Sequence, residues 1–211
     1  MNRTPTARRA VHRALVCAAL MAAGTGSASE TPRAPGADGA PAAAPPTPPR
    51  GIAAALEGPR LVGQGLLRWF GLRVYDATLW SAGRRFDPAR PLEFAFALEL
   101  RYLRALEGSA IAQASVREMA RMGLGSAAQH ETWLQQMRTL FPNVGDGDRL
   151  AGIHRPGKGA EFLGNDAPIG RIDDPEFARA FFSIWLDPRT SAPELRRALI
   201  AGAGSRTDPE R

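Results

Sequence analysis

Between Leu92 and Tyr102 the chain alternates without a break. Leu92, Phe94, Phe96, Leu98, Leu100 and Tyr102 fall on one side, and Glu93, Ala95, Ala97, Glu99 and Arg101 on the other. A period of two is the signature of an extended strand with one buried face, so this segment predicts a half-buried antiparallel strand. A sheet built on it must cover that apolar row with a second layer. Residues 61–81 supply further strand material: β-branched and aromatic side chains punctuated by Gly63, Gly65 and Gly71, which point to bulges or close backbone approach. A turn over Gly83 to Pro91 separates the two regions.

Helical signals follow the strands. Ser109 is placed to cap a helix running to Met122, with Gly123 ending it. A second helix is expected from Ala127 to Phe141, stopped by Pro142, with Trp133, Met137 and Leu140 on one face. Gly145-Asp146-Gly147-Asp148 is a turn, and Arg149–His154 with Ala160–Leu163 predicts a short hairpin. Asp174 before Pro175 opens a third helix to Leu186, and Ser191-Ala192-Pro193-Glu194 reads as a capping box for a last one carrying Leu195 and Leu199 inward. Strands and helices that segregate in this way predict an α+β fold with an antiparallel sheet and helices on one face.

The ends of the chain read differently. Arg8, Arg9 and Arg13 precede an apolar core from Ala14 to Ala23, and Gly26-Ser27-Ala28-Ser29 offers the small side chains a signal peptidase accepts. Residues 1–28 are therefore expected to be a cleaved signal peptide, too short in its apolar part to span a bilayer, which implies a periplasmic or secreted protein with no stable membrane anchor. Cys17 lies inside the apolar core, whereas a lipid-modified cysteine would follow it. Residues 29–50, rich in proline and alanine, are expected to be an extended linker, 51–203 one folded domain and 204–211 a polar tail. Four of the 27 basic residues and none of the 21 acidic ones lie in residues 1–28, so 23 face 21 after cleavage. That near balance speaks against nucleic-acid binding. Without Cys17 the remainder has no cysteine and only His130 and His154 as imidazoles, which excludes disulfides and thiolate zinc sites and implies no cofactor or metal.

Arg68 carries the functional reading. It sits among Leu66, Leu67, Trp69 and Phe70, and a guanidinium cannot discharge itself, so its burial there would require an anion or a carboxylate. The partner would be a ligand's negative end, or an internal acid such as Glu99 or Asp76. The four tryptophans Trp69, Trp80, Trp133 and Trp185 read as core; Glu99 and Arg101 as a pair among neighbours; His154, before Arg155-Pro156-Gly157, as a solvent-exposed turn residue. Gly63 and Gly65 are no phosphate loop, because strand continues where a helix would have to begin.

The pattern Gly63-x-Gly65-x-x-Arg68, then Val74-Tyr75-x-Ala77-x-Leu79, resembles the first strands of the bacterial chalcone isomerase-like family. Leu100-Arg101-Tyr102-x-Arg104 running into Ile111-Ala112 and Glu118-Met119 is similar to it too, as is Phe181-Phe182-Ser183-Ile184-Trp185-Leu186-Asp187-Pro188-Arg189-Thr190. The resemblance covers residues 57–203 and implies an open-faced β-sandwich with a ligand cleft between sheet and helices. Plant isomerases of this fold close a flavanone ring, an arginine holding the oxyanion while a threonine, a tyrosine and an asparagine order water and polarise the ketone. Arg68 falls at or next to that arginine. Phe70 occupies the threonine's strand position, and the turn that carries the tyrosine is Gly123-Leu124-Gly125 here, without a phenol. Non-enzymatic members bind fatty acids through the same arginine and a tyrosine. Together with the expected signal peptide, the resemblance points to an exported, non-catalytic domain that binds a small amphipathic anion such as a fatty acid, and it is expected to be monomeric or weakly dimeric. Its site would comprise Arg68 as anchor, Tyr75 or Tyr102 as supporting hydroxyl, and Phe70. The alternatives are an isomerase acting on a chalcone-like or other enone substrate through Arg68, and a structural or partner-binding module.

Overall fold

The computed structural model describes residues 46–83 and 85–204; the leader, most of the linker and the polar tail lie outside the described residues. Six strands form one antiparallel sheet in the order of the chain: β1 (Pro59–Trp69), β2 (Leu72–Ala82), β3 (Phe96–Tyr102), β4 (Arg149–His154), β5 (Ala160–Gly164) and β6 (Ala167–Ile172). Helices α2 (Gly108–Arg121) and α3 (Ala127–Leu140) are inserted between β3 and β4, whereas α4 (Pro175–Leu186) and α5 (Pro193–Leu199) follow β6. This is the α+β arrangement the segregated signals predict.

The alternating segment begins as strand only at Phe96, because Pro91–Glu93 winds into a 3-10 turn. From there the inward row Phe96, Leu98, Leu100 and Tyr102 is at most 8% exposed and packs beneath α2 to α5. The opposite row is not the solvated face that alternation implies. Helix α1 (Arg50–Ala55), which starts where the segment read as linker ends, lays Ile52 over that face, where it meets Leu56, Trp80, Ala97, Ala151, Ile153 and Leu163. A six-residue helix with proline before it leaves too short a periodicity to be read from sequence.

Other differences have local causes. Strand β6 escapes the propensity reading because Pro168 and Gly170 disfavour strand, yet β6 lies at the sheet edge, where proline is tolerated. Asn165 and Asp166, both at positive φ, make the tight turn into it. Ser109 does not cap α2; the Gly108 amide donates to Asn143 Oδ1 at 3.0 Å instead. The expected capping box on α5 is also absent, since Ala192 occupies the cap position and Pro193 opens the helix. A capping box does form on α3, where Ser126 and Gln129 satisfy each other's backbone amides. Asp174 caps α4 as expected, and one of its oxygens also accepts the Trp133 indole N–H at 2.7 Å. Gly63 and Gly65 are where α5 closes onto β1: a methyl at Gly63 would lie 2.3 Å from the Ala198 carbonyl oxygen.

Candidate functional site

Helix α2 packs mainly on α3 and α4 and does not close onto the strands. It turns small side chains, Ala114 and Ser115, towards the sheet, and a chamber opens between them and β2, β3 and β4. Its wall is almost wholly apolar. Leu98, Leu100 and Tyr102 form the sheet side; Ile111, Phe181 and Ile184 close the helical side. Edge-on aromatic contacts stiffen the far end, with Phe141–Phe162 centroids 5.1 Å apart and Phe162–Phe181 5.3 Å. The cavity itself is small, about 80 Å³, below the usual range of small-molecule sites, so an extended ligand would also need the space that adjoins it.

A more polar recess continues the chamber to the surface. The two share Leu67, Val74, Tyr75, Glu118, Ile184 and Trp185, which form a throat, and the recess adds Arg68, Trp69 and the start of α5. The Trp185 indole donates to the Tyr75 hydroxyl at 2.9 Å, and the Tyr75 ring meets that of Tyr102 edge-on at 5.8 Å. Glu118 is only 2% exposed and receives an ion pair from Arg121 at 2.9 Å. An unpaired carboxylate at that depth would be costly, and Arg121 removes much of the penalty. Burial of Glu118 was not expected from sequence; its place on α2 one turn after Ala114 and Ser115 was the available signal.

The expected site residues are therefore brought together only in part. Tyr75 and Tyr102 line the chamber. Arg68 stands at the rim of the recess and is exposed, which corrects the expectation of a buried guanidinium. A bulge between Leu67 and Arg68 shifts the register, after which Arg68 pairs with Arg73 and Trp69 with Leu72 at the hairpin end. Among the described residues its Nη1 reaches only the Gly71 carbonyl, at 3.5 Å. Neither internal acid holds it: Glu99 pairs with Arg149 at 3.4 Å and accepts the Trp80 indole N–H, and Asp76 forms no ion pair among the described residues. Phe70 is not on a strand at all. With Gly71 it makes the β1–β2 turn, 84% exposed and outside the chamber, so its place in the ligand site is corrected as well.

His154 also departs from expectation. It is 4% exposed, stacked on Phe96 with centroids 4.8 Å apart, and its Nδ1 meets the Phe94 carbonyl at 3.0 Å. Loss of solvent holds its pKa below the usual imidazole value, the carbonyl contact opposing the shift. Burial raises the Glu99 carboxyl, with the Trp80 indole and Arg149 opposing. Trp80, Trp133 and Trp185 are buried and Trp69 half-buried, so the first three are core. Leu124, in the turn without a phenol, does not line the chamber. Among the described residues no group of three or more histidine, cysteine or acidic side chains is placed to hold a metal ion, and no helix is long and apolar enough to cross a membrane.

A chamber of this kind can take an apolar chain, with its polar end at the rim. Comparison with known proteins bears on the fold. The family model described as chalcone isomerase-like matches residues 54–201. A fatty-acid binding protein of Arabidopsis thaliana is similar in structure at a TM-score of 0.54, covering 69% of this chain and 88% of its own, with 13% sequence identity. At that identity the likeness concerns the fold alone. No curated protein matches the sequence.

Proposed function

The chain belongs to the chalcone isomerase-like family, and on that premise we propose that it is an exported, non-catalytic binding protein for a fatty acid or a similar amphipathic anion. The observation that carries the reading is the apolar chamber with its polar recess. The tail would lie between α2 and the sheet, and each buried methylene would contribute about 0.8 kcal/mol. The carboxylate would remain in the recess near Arg68, since Glu118 at the throat disfavours a second negative charge deeper inside. Tyr75 and Tyr102 serve as walls of the throat and chamber. The structural neighbour is a fatty-acid binding protein, which agrees with this choice of ligand class. Cleavage after the small residues near Ala28 would release the protein outside the cytoplasm, and amino-terminal sequencing of the exported form tests that step.

Calorimetric titration with dodecanoate tests the binding. The parent chain is expected to bind saturably, and Ala114→Phe, which fills the chamber, to bind at least tenfold more weakly while still unfolding in one cooperative step. Arg68→Ala is expected to cost at most about fivefold, because a charge at an exposed rim contributes roughly 0–1 kcal/mol. A parent chain that takes up no dodecanoate, or an Ala114→Phe chain that binds as well as the parent, overturns the proposal. Conversion of a chalcone to a flavanone, followed by absorbance, is expected to stay at background; turnover that Ala114→Phe abolishes would instead establish an isomerase.

A further inference from the structure

The turn that removes Phe70 from the chamber has a character of its own. The two large hydrophobic side chains that stand exposed among the described residues, Phe70 at 84% and Leu72 at 49%, lie two positions apart at the β1–β2 tip. Trp69 supports Phe70 edge-on, with ring centroids 4.7 Å apart. Arg68 and Arg73 flank the group and face each other across the hairpin, both exposed, and neither forms an ion pair among the described residues. Two like charges placed opposite one another disfavour the hairpin unless something negative is shared between them. Phe70 and Gly71 take φ of 46° and 78°, a mirror-image turn that suits Asn-Gly far better than an aromatic side chain. The tip thus keeps a phenyl ring in water, on a backbone that disfavours it, between two uncompensated cations.

We propose that the Trp69–Leu72 hairpin tip, with Arg68 and Arg73, docks the protein on the surface of an anionic phospholipid bilayer. Aromatic and aliphatic side chains flanked by arginines suit the interface between headgroups and acyl chains: the rings enter the boundary and the guanidiniums meet phosphates. Two cations and a few apolar side chains give reversible attachment, not an anchor. The recess is rimmed by Arg68 and Trp69, so docking would turn its opening towards the lipid. That last consequence rests on the binding reading above; the docking itself does not.

Hydrogen–deuterium exchange on the full chain tests docking locally, away from any contribution of the basic leader. Vesicles of equal phosphatidylglycerol and phosphatidylcholine, free of fatty acid, are expected to slow exchange across residues 68–73 by about tenfold, a factor within what burying one phenyl ring supports. Pure phosphatidylcholine vesicles should give much less protection, and salt should weaken it. Phe70→Asn, which places the favoured residue in the turn and so preserves the fold, is expected to abolish the protection, and Arg73→Gln to reduce it severalfold. Unchanged exchange at the tip with anionic vesicles, or equal protection in Phe70→Asn, overturns the proposal. Dodecanoate binding measured on Phe70→Asn separates the two readings, because that chain should still fill its chamber.

Discussion

Protonating His154 would put a cation between Phe96 and Phe182, where the ring is stacked on one and edge-on to the other. The folded state therefore resists a proton that the unfolded chain accepts near pH 6.5. The sign follows: this stabilisation is complete above pH 6.5 and is lost as pH falls from there towards the lowered folded-state pKa. Glu99, raised by burial, acts in the opposite direction, stabilising most below its ordinary value and losing that contribution as pH rises. Urea unfolding at pH 7.5 and pH 5 separates them. The parent should lose more stability on acidification than His154→Asn, which offers an N–H to the Phe94 carbonyl but does not titrate; equal losses would sink the assignment. Residue types were readable here, but their surroundings were not. His154 precedes a turn sequence, and nothing local says that Phe96 will lie against it. Arg68 erred the other way, because it lies past a bulge and beside the hairpin tip, opposite Arg73, where apolar neighbours along the strand do not enclose a side chain.

Gly63 and Gly65 show an element's position being set by what is missing from another. On one side of β1 they leave no Cβ, and α5 settles so close that a methyl at Gly65 would lie 2.8 Å from the Ala198 Cβ. Gly63→Ala has no such room, since the nearest atoms are backbone. It is expected to destabilise the fold by about 1–3 kcal/mol, as overpacking does, and to raise exchange across α5. Gln64→Ala, on the exposed side between them, should change urea stability little. Because α5 begins at the recess, the same displacement would widen the route to the chamber. The glycine spacing was legible in the sequence as close approach; which element approaches was not, since α5 lies far along the chain. Helices with strong periodicity or a proline start, such as α4, were legible almost to the residue, whereas α1 and β6 were not.

At the scale of the molecule, the meander β1 to β6 forms one surface and α2 to α5 another, and the chamber is the gap where α2 stays off the sheet. A ligand filling that gap binds the folded chain only. Dodecanoate at about a hundred times its dissociation constant is therefore expected to add about 2.7 kcal/mol and to raise the melting temperature by about 5–10 °C. A melting temperature indifferent to dodecanoate would remove the chamber from consideration as a lipid site. The sequence by itself determined the α+β class, the antiparallel sheet and the apolar row that needs cover, because period, caps and turns act over a few neighbouring residues. It also carried the family, through motifs whose order the fold preserves. Tertiary structure alone decided that Arg68 and Phe70 lie outside, that Glu118 and His154 lie inside, and that α2 leaves a space. Those outcomes depend on how distant segments meet, and burial is a property of that meeting, not of either segment.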